Sequence, residues 1–544
     1  MRFGPTPLAE AEGAFLAHAL RVGGAVFKKG RRLSTDDVAL MRINGLTEVV
    51  AARLEPGDLD EDLAAARIAA ALAGPGITAG AAFTGRVNLF AQAHGLLTID
   101  TARIDGINVV DEAVTVATLP AHTPVAPRQM LATVKIIPFA APLAAVEAAE
   151  AVAREAAPVV VVRPFRPRTV ALIQTRLPGT KDGVLDKTVT VTAERVAAYG
   201  SALAPDVRVP HEPGALAAAV AAAIGDGAGL LLIAGASAIT DRRDVLPDAI
   251  ERAGGTVEHF GMPVDPGNLL LLARVGTVPV LGLPGCARSP KLNGFDWVLQ
   301  RLLADVPVGR ADVMRMGVGG LLAEIPSRPL PRADASPRPA PNAPQAPRVT
   351  AVVLAAGRGT RMGGPNKLAL PLDGRPIVDH VVAAAQASQA ERVVVVTGHE
   401  PERVRASLAG RTATFVHNPD HADGLSTSLR AGLAAVGEET DAVVVLLGDM
   451  PRVNAGLIDR LIAAYAPVEG RSICVPTVGG RRGNPILWDR AFLTEMSRIE
   501  GDTGARALLE RHADVVCEVA AGDDAALTDV DTPAAYAAVT GSAP

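Results

Sequence analysis

Two short stretches in the last third of the chain carry the residue types that phosphate-transfer chemistry needs. The first, Leu354-Ala355-Ala356-Gly357-Arg358-Gly359-Thr360-Arg361-Met362-Gly363-Gly364-Pro365-Asn366-Lys367, follows an apolar run. A glycine-rich turn lets backbone N–H groups approach phosphate oxygens, and Arg361 and Lys367 supply positive charge to offset a departing pyrophosphate. No G-x-x-x-x-G-K-[ST] is present, and the dinucleotide fingerprint fails on its glycine spacing and its missing downstream acid. The second stretch, Leu446-Leu447-Gly448-Asp449-Met450-Pro451, releases an aspartate from another apolar run. Two carboxylates holding Mg2+ against the α-phosphate and the leaving pyrophosphate neutralise charge during in-line attack. Asp449 is the first of them. Between these stretches, Asn418-Pro419 and Gly424-Leu425-Ser426-Thr427-Ser428-Leu429-Arg430 place hydroxyls and a guanidinium near a helix start, suited to an anionic acceptor.

Earlier in the chain two more backbone-lined turns stand between apolar runs and helical stretches. Ile233-Ala234-Gly235-Ala236-Ser237-Ala238-Ile239 leads to Asp241 and Asp244, and Gly282-Leu283-Pro284-Gly285-Cys286-Ala287-Arg288-Ser289-Pro290 follows a strand at 278–281 and precedes a helix at 295–303. Together they form a pocket able to hold an anion. His122 and His211 lie in polar loop sequence and carry no ligand signal.

The elements that position these residues read as α/β. Residues 349–355, 392–397 and 441–447 are continuous apolar runs separated by a helical stretch at 377–387, which implies a parallel sheet covered on both faces with ligands at the strand carboxyl ends. Residues 169–175 and 229–234 read as buried strands flanking an Ala-rich helix at 216–224. In the first 165 residues, 11–20 and 59–73 read helical and 113–120 and 130–138 extended, a mixed α+β region. From 326 to 347 eight prolines alternate with Ala, Arg, Ser and Asn. Such a segment is a semi-rigid spacer that at ~3.1 Å per residue reaches roughly 70 Å. The expected division is 1–165, mixed α+β; 166–325, α/β; 326–348, Pro-rich linker; and 349–544, a second α/β unit.

Composition narrows the function further. At 544 residues the chain exceeds one ordinary core, and 49% hydrophobic with only 3% aromatic residues means cores of Ala, Val and Leu. A net charge of −5, from 53 basic and 58 acidic residues, makes no field for nucleic acid or an anionic membrane. Cys286, Cys474 and Cys517 are far apart without C-x-x-C spacing, so neither a zinc site nor a disulfide framework is indicated. No signal-like start or spanning apolar run is present, which reads as a cytoplasmic protein.

The motif L-A-A-G-x-x-x-R-M-G-x-x-N-K-L resembles the signature of the molybdenum cofactor nucleotidyltransferases, over nearly all of 349–539. Ala356 and Asn366 match its cytidylyltransferase branch, where the guanylyl branch has Gly and Asp. Asp529-Val530-Asp531-Thr532-Pro533 resembles the family's late D-x-D-T-P segment, which implies Asp531 as the second metal ligand and Asp529 after it; a helix N-cap is the competing role. Gly480-Arg481-Arg482-Gly483-Asn484-Pro485-Ile486-Leu487-Trp488 and Gly501-Asp502-Thr503-Gly504-Ala505-Arg506 resemble its substrate-facing loops. The resemblance implies a Rossmann-like nucleotidyltransferase fold, with Arg361, Lys367 and Asp449 catalytic and Leu354, Ala355, Ala356, Gly357, Gly359, Ser426, Ser428, Arg482 and Asn484 holding the substrates.

The pocket of the preceding unit is similar to the molybdopterin-binding domain of molybdopterin molybdenumtransferases and adenylyltransferases. The matches are Ala234-Gly235-Ala236-Ser237, Met262-Pro263-Val264-Asp265-Pro266-Gly267-Asn268 and Leu283-Pro284-Gly285-Cys286. The chain departs from that pattern at Ala234, at Cys286 and in a loop without lysine. Pterin phosphate binding through Ser237, Gly285, Lys181 and Arg288 is implied; a second catalytic activity is not supported.

Taken together, the resemblances imply CMP transfer from CTP to the terminal phosphate of molybdopterin, with Mg2+, giving molybdopterin cytosine dinucleotide and pyrophosphate. Hand-over of the product to molybdoenzymes of the hydroxylase type would follow. The rival readings are a guanylyltransferase, a nucleotidyltransferase for a sugar or polyol phosphate, and a cofactor carrier without catalysis. A pure carrier needs no triphosphate machinery, which is what Arg361, Lys367 and Asp449 together form.

Overall fold

Runs of Val, Leu and Ile too apolar to face water on either side become the central strands of two sheets. The computed structural model describes residues 1–322, 345–357, 362, 366–499 and 506–540. Most of the proline-rich segment and the 501–505 loop lie outside the described residues.

The first of these sheets contains β1 (Thr169–Arg176), β2 (Val207–Pro210), β3 (Leu230–Ala234), β4 (Gly255–Phe260), β5 (Leu271–Val275) and β6 (Val278–Leu283). β1, β3 and β6 run parallel and form its centre, while β5 and β4 continue it antiparallel. Alternate residues of one strand serve opposite faces: Leu230 and Leu232 pack with Phe295 and Leu299 of α4 (Gly294–Leu303), on the face that α1 (Asp182–Ala197) also covers. Leu231 and Ile233 pack with Leu216 and Val220 of α2 (Pro213–Gly225) and Leu246 and Ile250 of α3 (Val245–Arg252). A strand buried on both faces needs an unbroken apolar run, as seen here.

The C-terminal sheet holds β7 (Val349–Ala355), β8 (Arg392–Thr397), β9 (Thr414–His417), β10 (Ala442–Leu447), β11 (Ile473–Val478), β12 (Arg481–Arg482), β13 (Ile486–Asp489) and β14 (Val516–Ala520). Its order is β9-β8-β7-β10-β13-β11-β12, with β14 also on β11. The first four strands are parallel, the Rossmann-like core of a nucleotidyltransferase fold. Val349, Ala351 and Val353 pack with Val378 and Val382 of α5 (Ile377–Ala387) and Leu457 and Leu461 of α7 (Ala455–Ala464). Val352 and Leu354 pack with Leu429 and Leu433 of α6 (Leu425–Ala434) on the other face.

The first 165 residues are mixed α+β. Helix Glu61–Leu72 and strands Val114–Thr118 and Met130–Ile136 stand where sequence pattern puts them. Residues 11–20 do not form the expected helix: Gly13 has φ +76°, and Phe15–Leu16 pairs with Ala51 and Ala52 as an edge strand. The apolar residues that suggested a helix face instead fill a small core with Phe27 and Met41.

The C-terminal unit is not joined to the rest by the linker alone. Lys28 Nζ donates to Val516 O at 2.5 Å, Arg128 pairs with Glu391 at 2.9 Å, and Arg86 with Glu469 at 3.5 Å. The Arg471 guanidinium lies 5.4 Å from the centre of the Phe83 ring. Ala346 N–H also donates to Arg128 O at 2.9 Å, so the end of the expected spacer is strapped to the N-terminal part.

Candidate active site

Strands β7 and β10 lie side by side, and their carboxyl ends bring the first two chemical stretches together. Gly448 N–H donates to Leu354 O at 2.9 Å. A side chain at 448 would stand 3.0 Å from that oxygen, a tight contact that glycine avoids just before Asp449. Val530 N–H donates to Asp449 O at 2.9 Å, which draws the 529–531 segment onto the same point.

Lys367 opens a short turn in which the Asn366 side chain accepts from Leu368 N–H at 3.1 Å. The lysine is buried, and its Nζ bonds both Asp449 Oδ2 and Asp531 Oδ1. Burial disfavours its charge, but the two carboxylates outweigh burial and raise its pKa. Sequence reading assigned Lys367 to the leaving pyrophosphate; here its charge is shared between carboxylates. Burial, then the charges of Asp531 and Asp449, raise the pKa of Asp529. Asp449 Oδ1 is buried without a hydrogen-bond partner.

That orphaned oxygen, with Asp531 converging on the same lysine, fits a hard divalent cation. Among the described residues no three His, Cys, Asp or Glu side chains form a metal-holding group. Two carboxylates are nevertheless the usual protein share for Mg2+, which takes its other oxygens from water and phosphates. Asp449 and Asp531 are therefore the matching pair, and Asp529 stands beside them.

Beside this point opens a cleft of about 1030 Å³, whose walls include Leu354, Ser426, Arg482, Asn484 and Trp488. Gly483 is held so close to Ala526 O that a Cβ would lie 2.2 Å from it, which fixes the loop carrying Arg482 and Asn484. Arg482 pairs with Glu518 at 3.0 Å. Ser428 is buried and accepts from Asn418 Nδ2 at 3.0 Å, so its hydroxyl braces α6 rather than lining the cleft. Arg430 donates to Ser497 O at 3.1 Å and does not line the cleft either. Ala355 and Ala356 are buried; a Cβ at Gly398 would lie 2.8 Å from the Ala356 methyl. That methyl packs inward against Gly398. Gly357 is exposed beyond them. Gly359 and Arg361 lie outside the described residues.

In the preceding unit the two turns do meet. Ser237, Gly285, Arg288 and Thr188 line a cavity of about 60 Å³. Lys181 is exposed and is not among the lining residues. Asp244 caps α3 and Asp241 pairs with Arg243 at 2.9 Å, so both acids serve local structure. His211, passed over in sequence, is hydrogen-bonded to Ser237 at 2.9 Å and to Thr175 at 2.8 Å. Its only sequence signal is its place just after β2, the neighbour of β1.

Cys474 and Cys517 are register partners on β11 and β14 despite their distance in sequence. Their mutual hydrogen bond, then burial, pushes the Cys474 thiol up.

Residues 351–515 match the family model described as MobA-like NTP transferase domain, and residues 5–53 match a domain of unknown function. The chain is 30% identical over 191 residues to nicotine blue oxidoreductase of Paenarthrobacter nicotinovorans, covering 34% of this chain and 93% of that one. It is 36% identical over 129 residues to the bifunctional protein GlmU of Kineococcus radiotolerans, 23% of this chain and 26% of that protein, so it spans about a quarter of that relative's length. A solved nucleotidyl transferase from Methanothermobacter is 25% identical, with a TM-score of 0.33, covering 36% of this chain and 96% of that one. The glycine-rich turn, the strand-end aspartate and the matched span agree, and the chain belongs through its C-terminal unit to the MobA-like NTP transferase family.

Proposed function

We propose that this nucleotidyltransferase transfers CMP from CTP to the terminal phosphate of molybdopterin, while the N-terminal half holds the pterin. The observation that carries the transfer chemistry is the convergence of Lys367, Asp449 and Asp531 at the strand ends beside the large cleft. A phosphate oxygen of the acceptor attacks the α-phosphorus of CTP, the bond to the β-phosphate oxygen breaks, and pyrophosphate leaves. Asp449 and Asp531 would hold Mg2+, which would supply charge neutralisation at the phosphates. Lys367 keeps the two carboxylates together and offsets their charge, and the 480–484 loop orients the acceptor. Positioning and electrostatics suffice, without a covalent enzyme intermediate.

The CTP preference and the pterin acceptor rest on the motif resemblance, including Ala356 and Asn366. The buried position of the Ala356 methyl moves any base selectivity to backbone or cleft residues. Incubating the pure protein with molybdopterin and each NTP, then weighing the products, tests both choices. The expected outcome is acceptor plus CMP, with pyrophosphate released. Equal or better use of GTP would place the protein with guanylyltransferases. Transfer to sugar or polyol phosphates but not to molybdopterin would replace the acceptor, and binding without any transfer would leave a carrier.

A further inference from the structure

Thr175, at the carboxyl end of β1, is fully buried, and its hydroxyl has two partners: Ala236 N–H, which donates to it at 2.8 Å, and His211 Nδ1 at 2.8 Å. A hydroxyl has one hydrogen to give. With Ala236 already donating and the residue fully buried, donation to His211 Nδ1 is the hydrogen bond that satisfies that hydrogen; left unmade, it would cost the full desolvation of a buried polar group. A neutral imidazole carries one donor and one acceptor, so its proton then sits on Nε2. Nε2 lies 2.9 Å from Ser237 Oγ and donates to it. The hydrogen of Ser237 is thereby turned away from the ring.

The cavity it faces has an anionic preference. Its lining includes the Arg288 guanidinium, which also donates to Gly235 O at 2.9 Å, and contains no carboxylate. Thr188 spends its hydroxyl on Val184 O at 2.9 Å. A side chain at Gly235 would stand 2.8 Å from the Ser237 backbone oxygen, so the turn closes tightly on itself while Ser237 stays exposed. At about 60 Å³ the space takes an anionic head group, with the rest of a ligand outside.

We propose that Thr175, His211 and Ser237 form a one-directional hydrogen-bond relay that presents the Ser237 hydroxyl as a donor to a phosphate monoester, with His211 as the positioning residue. In this arrangement His211 Nε2 is not a base and Ser237 is not a nucleophile. The assignment deepens the reading of the N-terminal half as a holder of a phosphorylated ligand, and it specifies only where the phosphate sits.

Calorimetric titration of the full-length protein with inorganic phosphate, and separately with molybdopterin, tests the relay. Loss of one hydrogen bond to a charged group predicts roughly 10–100-fold weaker phosphate binding in Ser237→Ala and in His211→Leu. Glutamine can accept from Thr175 through Oε1 and donate to Ser237 through Nε2, so His211→Gln stays within about 3-fold of the parent. Ser237 remains unlabelled by a fluorophosphonate probe. Unchanged phosphate affinity in Ser237→Ala overturns the proposal, as does fluorophosphonate labelling of Ser237 that His211→Gln abolishes. If His211→Leu does not fold, Ser237→Ala and His211→Gln decide the matter. Phosphate bound as expected without molybdopterin binding removes the pterin reading and leaves the relay. Molybdopterin bound equally well by parent and Ser237→Ala does the reverse.

Discussion

Replacing Lys367 by alanine tests both the electrostatics and the chemistry of the transferase site. The lysine side chain is 10% exposed, against 19% for Asp449 and 34% for Asp531. Each charge-assisted hydrogen bond is worth about 1.5–3 kcal/mol, and solvent screening puts the Asp531 contact at or below the lower end. Removing the cation leaves carboxylates facing each other, for a total loss of about 2–4 kcal/mol at neutral pH. The sign with pH follows from the shifts. The raised folded pKa of Lys367 means its stabilisation is fully present below the unfolded value of 10.5 and is lost only as pH rises through the folded one. The deficit of the variant is therefore present at both pH 7 and pH 5. Urea unfolding of parent and variant at pH 7 and pH 5, with and without Mg2+, reads this directly. The cation should restore more stability to the variant than to the parent, through mass action on the folded state. Turnover at saturating CTP and acceptor should fall by roughly 10–100-fold, as on loss of a group that orients metal ligands. Parent-like unfolding midpoints at both pH values, together with unchanged turnover, would refute the reasoning.

Three further outcomes are expected. Asp449→Ala loses turnover while retaining its circular dichroism spectrum, because the residue ends a strand rather than filling a core; activity within a few-fold of the parent removes it as a metal ligand. Gly483→Ala, whose Cβ would meet Ala526 O at 2.2 Å, displaces the 480–484 loop and raises the KM for acceptor more than that for CTP; equal effects on both would detach this loop from the acceptor. Burial raises the Glu61 carboxyl to about 7, so the folded state binds its proton more tightly than the unfolded one. The contribution of Glu61 to stability is therefore full below pH 4.5 and declines by on the order of 1–3 kcal/mol as pH rises to 7; Glu61→Gln should remove that component of the pH dependence in thermal melts, and an unaltered dependence would assign it elsewhere.

Sequence alone determined the elements whose burial leaves no choice. Residues 349–355 and 229–234 are apolar at consecutive positions, which only a strand covered on both faces accommodates, and a glycine-rich turn or an aspartate after such a strand must lie at its carboxyl end. Lys367 and Asp449 were placed at the strand ends for that reason, and Asp531 was named only through the motif resemblance. Residues 11–20 misled because their apolar spacing serves an edge strand and a small core as well as a helix, and only pairing with Ala51 and Ala52 selects between them. Other features were decided by tertiary structure, because they depend on which strands become neighbours. The adjacency of β2 and β1 brings His211 against Thr175, and the pairing of β11 with β14 sets Cys474 opposite Cys517 across 43 residues. The inward turn of Ala356 onto Gly398, and the strapping of Ala346 and Pro347 to Arg128, follow from the same cause. Local pattern encodes whether a residue is buried, but which partner it meets there is a long-range choice that no spacing along the chain records.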